Sequence, residues 1–228
     1  MNLKAVLFDL GGTLVKAASP PEIIGRILGE YGIKKSLDEI ALAHEAAEKN
    51  MNTEDYRLPY YEFWVKWNTN ILEALRIHDD INFLARVLVD EWWDNADVES
   101  YPDAEPTLVG LKNMGLKIGI VTNAFKRDIE DIFARVKLPS VFDIYVGIDA
   151  VGKPKPNSEI FIYAVKALNI QPNEALFVGD SLENDYIGAL NAGLRAVLID
   201  RNCVFSSKAN LAKIKNLREL LDLIKLEK

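Results

Sequence analysis

Short apolar runs in this sequence repeatedly end in residues that are reactive or suited to holding phosphate. Asp9 closes the first run, in VLFDLGGTL over 6–14, and two glycines and a threonine follow it at once. Thr122-Asn123 ends LKIGIVTN, Lys153 sits in GKPKP just after a further run, and Asp180 ends ALFVGD with Asp185 five residues on. Each has a plain alternative. An Asp after a strand serves turns and helix caps, and Thr-Asn serves turns equally well. Lys153 could be a solvated loop lysine, and the prolines around it exclude a P-loop, whose lysine must open a helix. Asp185 is well placed to favour a helix start through the macrodipole. The plain alternatives do not account for all four groups falling at successive strand ends.

The elements that must position these groups have two textures. Residues 3–10 read as a buried strand, apolar and β-branched with little alternation. From about Lys16 to Asp97 the pattern is helical, opening on Ser19-Pro20-Pro21-Glu22, a capping box with prolines where the first turn needs no donors. Apolar residues recur there at helical spacing, as in Ile23, Ile27 and Leu28 and in Phe63, Trp67, Ile71 and Leu75. After Tyr101-Pro102-Asp103, helices expected at 105–114, 127–136, 157–169, 184–192 and 215–226 alternate with strands at 116–123, 141–149, 175–180 and 195–200. That alternation implies an α/β fold, a Rossmann-like doubly wound parallel sheet with helices on both faces. The expected division is a core of 1–15 and 98–228 with a helical insert over 16–97. In such a sheet ligands bind beyond the carboxyl ends of the strands, near the point where strand order reverses.

Composition narrows the function. The 228 residues carry 27 Lys and Arg against 34 Asp and Glu, a net charge of −7, which argues against nucleic acid as a partner. No apolar run is long enough to span a membrane, and Asp9 interrupts the N-terminal run where a secretory signal would stay apolar. Cys203 is the single cysteine, so no intrachain disulfide can form. The expectation is a cytoplasmic protein, with no indication of oligomeric state.

FDLGGTL, IVTN, KPKP and GDSLEND, in this order and spacing, resemble the four signature motifs of the haloacid dehalogenase superfamily. The resemblance covers the whole chain, because the helical insert lies where that family carries a C1-type helical cap. It implies a Mg²⁺-dependent phosphatase acting on a small phosphorylated substrate, with the cap closing over the site to select it. Asp9 would be the nucleophile, forming an aspartyl-phosphate that water hydrolyses. Asp9, Asp180 and the backbone carbonyl of Gly11 would hold Mg²⁺, with Asp185 ordering a metal-bound water or binding the metal more directly. Thr122 and the amide of Asn123 would bind the transferring phosphoryl group, Lys153 would neutralise charge between it and Asp9, and Gly12 would let the backbone approach closely.

One position departs from the pattern. Phosphatases of this family usually carry a second Asp two residues after the nucleophile, as the acid and base of the reaction, and here that residue is Gly11. General acid–base catalysis is worth about 10²–10⁴-fold. Substitutes from the insert are His44, His78 and the acids at Glu54-Asp55. Two other readings stay open: a metal-independent 2-haloacid dehalogenase, which needs no leaving-group acid, and a nearly inactive protein that binds a phosphorylated ligand. The insert's aromatic residues, Tyr56, Tyr60, Tyr61, Phe63, Trp64, Trp67, Trp92 and Trp93, would stack on a ring-bearing substrate or, as a small bundle requires, fill its core.

Overall fold

The computed structural model describes residues 3–206, 208 and 210–226. By internal contacts the chain divides into two compact units, one of residues 1–16 and 99–228 and one of residues 17–98.

The first unit is built on a parallel sheet. Its strands are β1 (Ala5–Phe8), β4 (Lys117–Val121), β5 (Ile144–Val146), β6 (Ala175–Gly179), β7 (Arg195–Ile199) and β8 (Lys213–Ile214), with β2 (Val15–Lys16) and β3 (Glu99–Ser100) forming a separate antiparallel ladder. The order across the sheet is β5-β4-β1-β6-β7-β8, and every pair within it is parallel. All four residues of β1 are buried, as a strand covered on both faces requires. The chain runs outward from β1 to β4 and β5, then returns to the other side of β1 with β6. Strand order therefore reverses around β1, and Asp9 follows it directly. Helices α5 (Ala104–Asn113), α6 (Lys126–Arg135) and α7 (Ser158–Ala167) precede β4, β5 and β6, and one face of the sheet packs Leu7, Val121 and Phe177 against Ile160, Phe161 and Ala164 of α7.

The fold class agrees with the sequence reading, and the differences are local. The strand expected over 141–149 is shortened to Ile144–Val146, because Lys112 and the Ile118 N–H draw Asp143 into side-chain bonding (2.8 and 2.7 Å) and a 3₁₀ turn begins at Ile148. The helix expected at 184–192 is a π-helical turn over Leu182–Ile187 followed by α8 (Gly188–Asn191). The strands β2, β3 and β8 were not foreseen; at two residues each they are too short for any periodicity to show. The last helix, α9, covers Arg218–Leu226 within the stretch expected at 215–226.

The second unit is helical: α1 (Pro20–Glu30), α2 (Leu37–Asn50), α3 (Tyr60–Ala74) and α4 (Ile81–Asp90). The Glu22 carboxylate accepts from the Ser19 N–H at 2.7 Å and from its hydroxyl at 2.6 Å, which starts α1. Ile23, Ile27, Ile40, Ile71, Leu84 and Leu88 are buried in a core of the unit's own, against which Trp67, Trp92 and Trp93 pack. Edge-to-face contacts of Phe63 with Trp64 and of Trp64 with Trp67 complete the packing, so these rings do the core-filling work. Among the described residues no helix is long and apolar enough to cross a membrane.

A polar node ties the segments around β1 together. Arg201, just past β7, donates to the Thr13 carbonyl at 2.8 Å and to both oxygens of Asp103 at 2.9 and 3.1 Å, with its guanidinium 3.6 Å from the Tyr101 ring centroid. Asp103 also accepts from the Leu217 N–H at 2.8 Å. Burial pushes the Asp103 carboxyl up, but Arg201 and the Leu217 N–H outweigh it and hold it below the usual range. A depressed carboxylate stabilises the fold above its unfolded value, near pH 4, and that stability is lost as pH falls through the folded value. Asp103→Asn is therefore expected to lower the urea midpoint at pH 7, with the gap from wild type closing below about pH 4. Parallel titration of both proteins by circular dichroism checks this, and a gap independent of pH would contradict it.

Candidate active site

Asp9 leaves β1 with its N–H still in the ladder, bonded to the Val178 carbonyl at 2.9 Å. The turn after it is closed by the Gly12 N–H on the Val15 carbonyl (2.8 Å) and the Leu14 N–H on the Leu10 carbonyl (2.9 Å). Gly12 has φ +74°, and a Cβ there would lie 2.1 Å from Asp180 Oδ2, so only glycine fits between turn and carboxylate. At Gly11 a Cβ would meet nothing within 4 Å.

Asp180 and Asp185 come from the turn after β6. The Asp185 carboxylate folds back to accept from the Ser181 N–H at 2.9 Å. It lies against Gly179, where a Cβ would come within 2.4 Å of its Cγ. Asp9 and Asp185 are buried and Asp180 is exposed, and the three offer carboxylate oxygens within 4.8 Å of one another.

The cation facing them is Lys155. Its ammonium lies 2.6 Å from Asp9 Oδ1 and 2.6 Å from Asp185 Oδ1, with the side chain 3% exposed. It also stands 5.3 Å from the Phe177 ring centroid in β6. This corrects the expectation for Lys153, which pairs with Glu159 at the start of α7 and does not meet Asp9. The two lysines of GKPKP are alike in sequence; in the fold the Lys155 N–H donates to Asn123 Oδ1 at 2.7 Å.

Electrostatics follow from the count of charges. Burial lowers the Lys155 pKa, but Asp9 and Asp185 together outweigh it and hold the ammonium above its usual range. A pair of unit charges about 4 Å apart attracts by about 4 kcal/mol at an effective dielectric near 20, and Lys155 has two partners closer than that. Asp9 is the opposite case. Burial, with the charge of Asp185 added, outweighs its one lysine and raises its carboxyl to about 7. Three carboxylates around one ammonium leave excess negative charge, and an all-oxygen donor set suits a hard divalent cation such as Mg²⁺.

The other expected residues are placed as follows. Thr122, buried, extends the β4–β5 ladder through its N–H to the Val146 carbonyl (3.0 Å), and its hydroxyl accepts from the Ala124 N–H (3.2 Å). Because Phe8 pairs with Ile120, Asp9 and Thr122 leave the sheet at the same edge. The Asn123 side chain is bonded to the Lys155 backbone. In the helical unit, Asp55 is bound by Lys66 at 2.6 Å, Glu54 by Arg57 at 2.9 Å, and His44 packs on Trp67 with burial lowering its pKa.

Fold and site together define a Rossmann-like α/β protein whose acidic, lysine-bridged centre lies at the reversal of strand order. A model of the haloacid dehalogenase-like hydrolase family matches residues 3–193, and the chain belongs to that family of hydrolases. It is 30% identical over 205 residues to a glyceraldehyde 3-phosphate phosphatase of Methanopyrus kandleri, covering 87% of this chain and 84% of the relative. It is 38% identical over 199 residues to the pyrophosphatase PpaX of Bacillus mycoides, covering 87% and 84%. Among solved structures, a HAD phosphatase from Thermococcus onnurineus aligns over 97% of this chain and 98% of its own, with a TM-score of 0.64 and 29% identity.

If Lys155 is the working cation, Lys155→Ala should lower kcat/KM on para-nitrophenyl phosphate by at least about 100-fold, while Lys153→Ala stays within about twofold. Parallel steady-state assays of the two variants decide it, and equal losses would restore Lys153 to the site.

Proposed function

We propose that this hydrolase is a Mg²⁺-dependent phosphatase of small phosphorylated metabolites that works through an aspartyl-phosphate on Asp9. The observation that carries this reading is the convergence of Asp9, Asp180 and Asp185, two of which, Asp9 and Asp185, share the ammonium of Lys155. A dehalogenase attacks carbon with no cation to bind, and an uncompensated acid beside its nucleophile would repel the anionic 2-haloacid. A phosphatase must bring a dianion to a carboxylate, and acidic ligands that recruit a divalent cation serve that need.

Asp9, Asp180 and Asp185, with the Gly11 carbonyl, would hold the cation. When bound it would favour the ionised form of Asp9 and neutralise charge on the phosphoryl oxygens. An oxygen of Asp9 attacks phosphorus, and the bond to the leaving oxygen breaks with its electron pair going to that oxygen. Water then attacks the phosphorus of the aspartyl-phosphate, releasing orthophosphate and restoring the carboxylate. Lys155 holds positive charge between Asp9 and the incoming phosphoryl group, and Thr122 and the Asn123 N–H bind its oxygens. The relatives named for glyceraldehyde 3-phosphate and for pyrophosphate support a small phosphorylated substrate.

The test is hydrolysis of para-nitrophenyl phosphate with Mg²⁺ and with EDTA. Turnover should require the metal and disappear in Asp9→Asn; metal-independent release of halide from a 2-haloacid would select the dehalogenase instead. Gly11→Asp adds a carboxyl where the structure has open space. It should raise kcat on an alkyl phosphate by about 10²-fold or more, and less on para-nitrophenyl phosphate, whose leaving group needs no proton. An equal gain on both substrates would remove proton donation as the limitation.

A further inference from the structure

Resting on the reading that Lys155 serves phosphoryl transfer, we infer that the Asn123 side chain is a positioning residue that sets where the Lys155 ammonium stands. A lysine side chain is a flexible four-carbon stem, so its head is only as well placed as its backbone allows. The backbone here has few means of holding itself. Pro154 and Pro156 flank Lys155 and carry no N–H, leaving the Lys155 N–H as the one donor of the three residues. Asn123 takes both backbone groups of that residue. Its Oδ1 accepts from the Lys155 N–H at 2.7 Å, and its Nδ2 donates to the Lys155 carbonyl at 3.1 Å.

This reciprocal pair does what one rung of a β-ladder does, but with a side-chain amide. Asn123 itself is held from behind, because the preceding Thr122 N–H continues the β4–β5 ladder on the Val146 carbonyl. The clamp therefore ties the Lys155 turn to the end of β4, next to β1 and Asp9. From that anchor the side chain runs past Phe177 to reach Asp9 and Asp185 at 2.6 Å each. An aspartate at 123 would keep the acceptor for the Lys155 N–H, lose the donor to its carbonyl, and set a charge beside that carbonyl.

Amine acetylation by an N-hydroxysuccinimide ester, followed lysine by lysine with mass spectrometry on the full chain in Mg²⁺, tests the clamp without relying on turnover. In wild type Lys155 should be among the slowest lysines to label. In Asn123→Ala it should label about tenfold faster or more, reflecting two lost hydrogen bonds, while Lys117, which donates to the Leu168 carbonyl at 2.7 Å, keeps its rate. Asn123→Asp should fall between, and kcat/KM on para-nitrophenyl phosphate should drop about 10–100-fold in Asn123→Ala. An unchanged Lys155 rate, or a uniform rise at every lysine, would overturn the proposal. Should Asn123→Ala fail to fold, Asn123→Asp with unchanged Lys155 labelling would overturn it equally. Selective exposure of Lys155 alongside a wild type without phosphatase turnover would uphold the clamp and sink the phosphatase reading instead.

Discussion

The ammonium of Lys155, buried between Asp9 and Asp185, is the interaction on which the arrangement of the site depends. Removing one partner of a buried ion pair leaves a charge that the interior cannot solvate, at a cost of about 3–5 kcal/mol. Here one cation answers two carboxylates that follow adjacent strands, β1 and β6, whose spacing the backbone ladder already fixes. The requirement spreads outward. Asp185 must lie against the chain at Gly179, and a β-carbon there would push it away. Asp180 must leave room for the turn at Gly12, which again admits no side chain.

The parallel sheet makes this economical. Asp9 and Lys155 are 146 positions apart, yet each sits just beyond a strand or a short loop at the same edge. Parallel strands deliver their carboxyl ends to one edge, and the reversal of order around β1 opens space between the loops after β4 and β6. Arg201 braces that edge from the far side by joining the turn after β1, the returning segment at Tyr101–Asp103 and, through Asp103, the approach to α9. The helical unit takes no part in this brace and has an apolar core of its own. Trp67, Trp92 and Trp93 pack against that core, while Tyr61 and Phe83 are exposed.

Gly11 stands where the phosphatases that the sequence resembles usually carry a second Asp. The turn there has room for a side chain, so the glycine is not imposed by packing, in contrast to Gly12 one residue on. Asp9, Asp180, Asp185 and Lys155 come from other positions, so the acidic donor set does not depend on a carboxyl at 11.

Much of this was legible before any coordinates. Unbroken apolar strands alternating with helices specify a parallel sheet, because only a strand buried on both faces can be apolar throughout, and Asp9, Thr122, Asp180 and Asp185 stand out by falling at its strand ends. The helical stretch, expected over 16–97, showed through its 3.6-residue spacing, and the second unit covers 17–98. Interactions between residues far apart in sequence did not show. Lys153 and Lys155 are equivalent in GKPKP, and in the fold it is Lys155 that meets the amide at position 123 on another strand end. Arg201 follows a strand as an ordinary charged residue, and its brace exists only because Thr13 and Asp103 arrive beside it. Local pattern is written in the order of neighbours along the chain, so the sequence alone determined the longer elements and the site's residue types. Which lysine enters the site, and what holds it there, depends on distances between segments that only the closed sheet brings together.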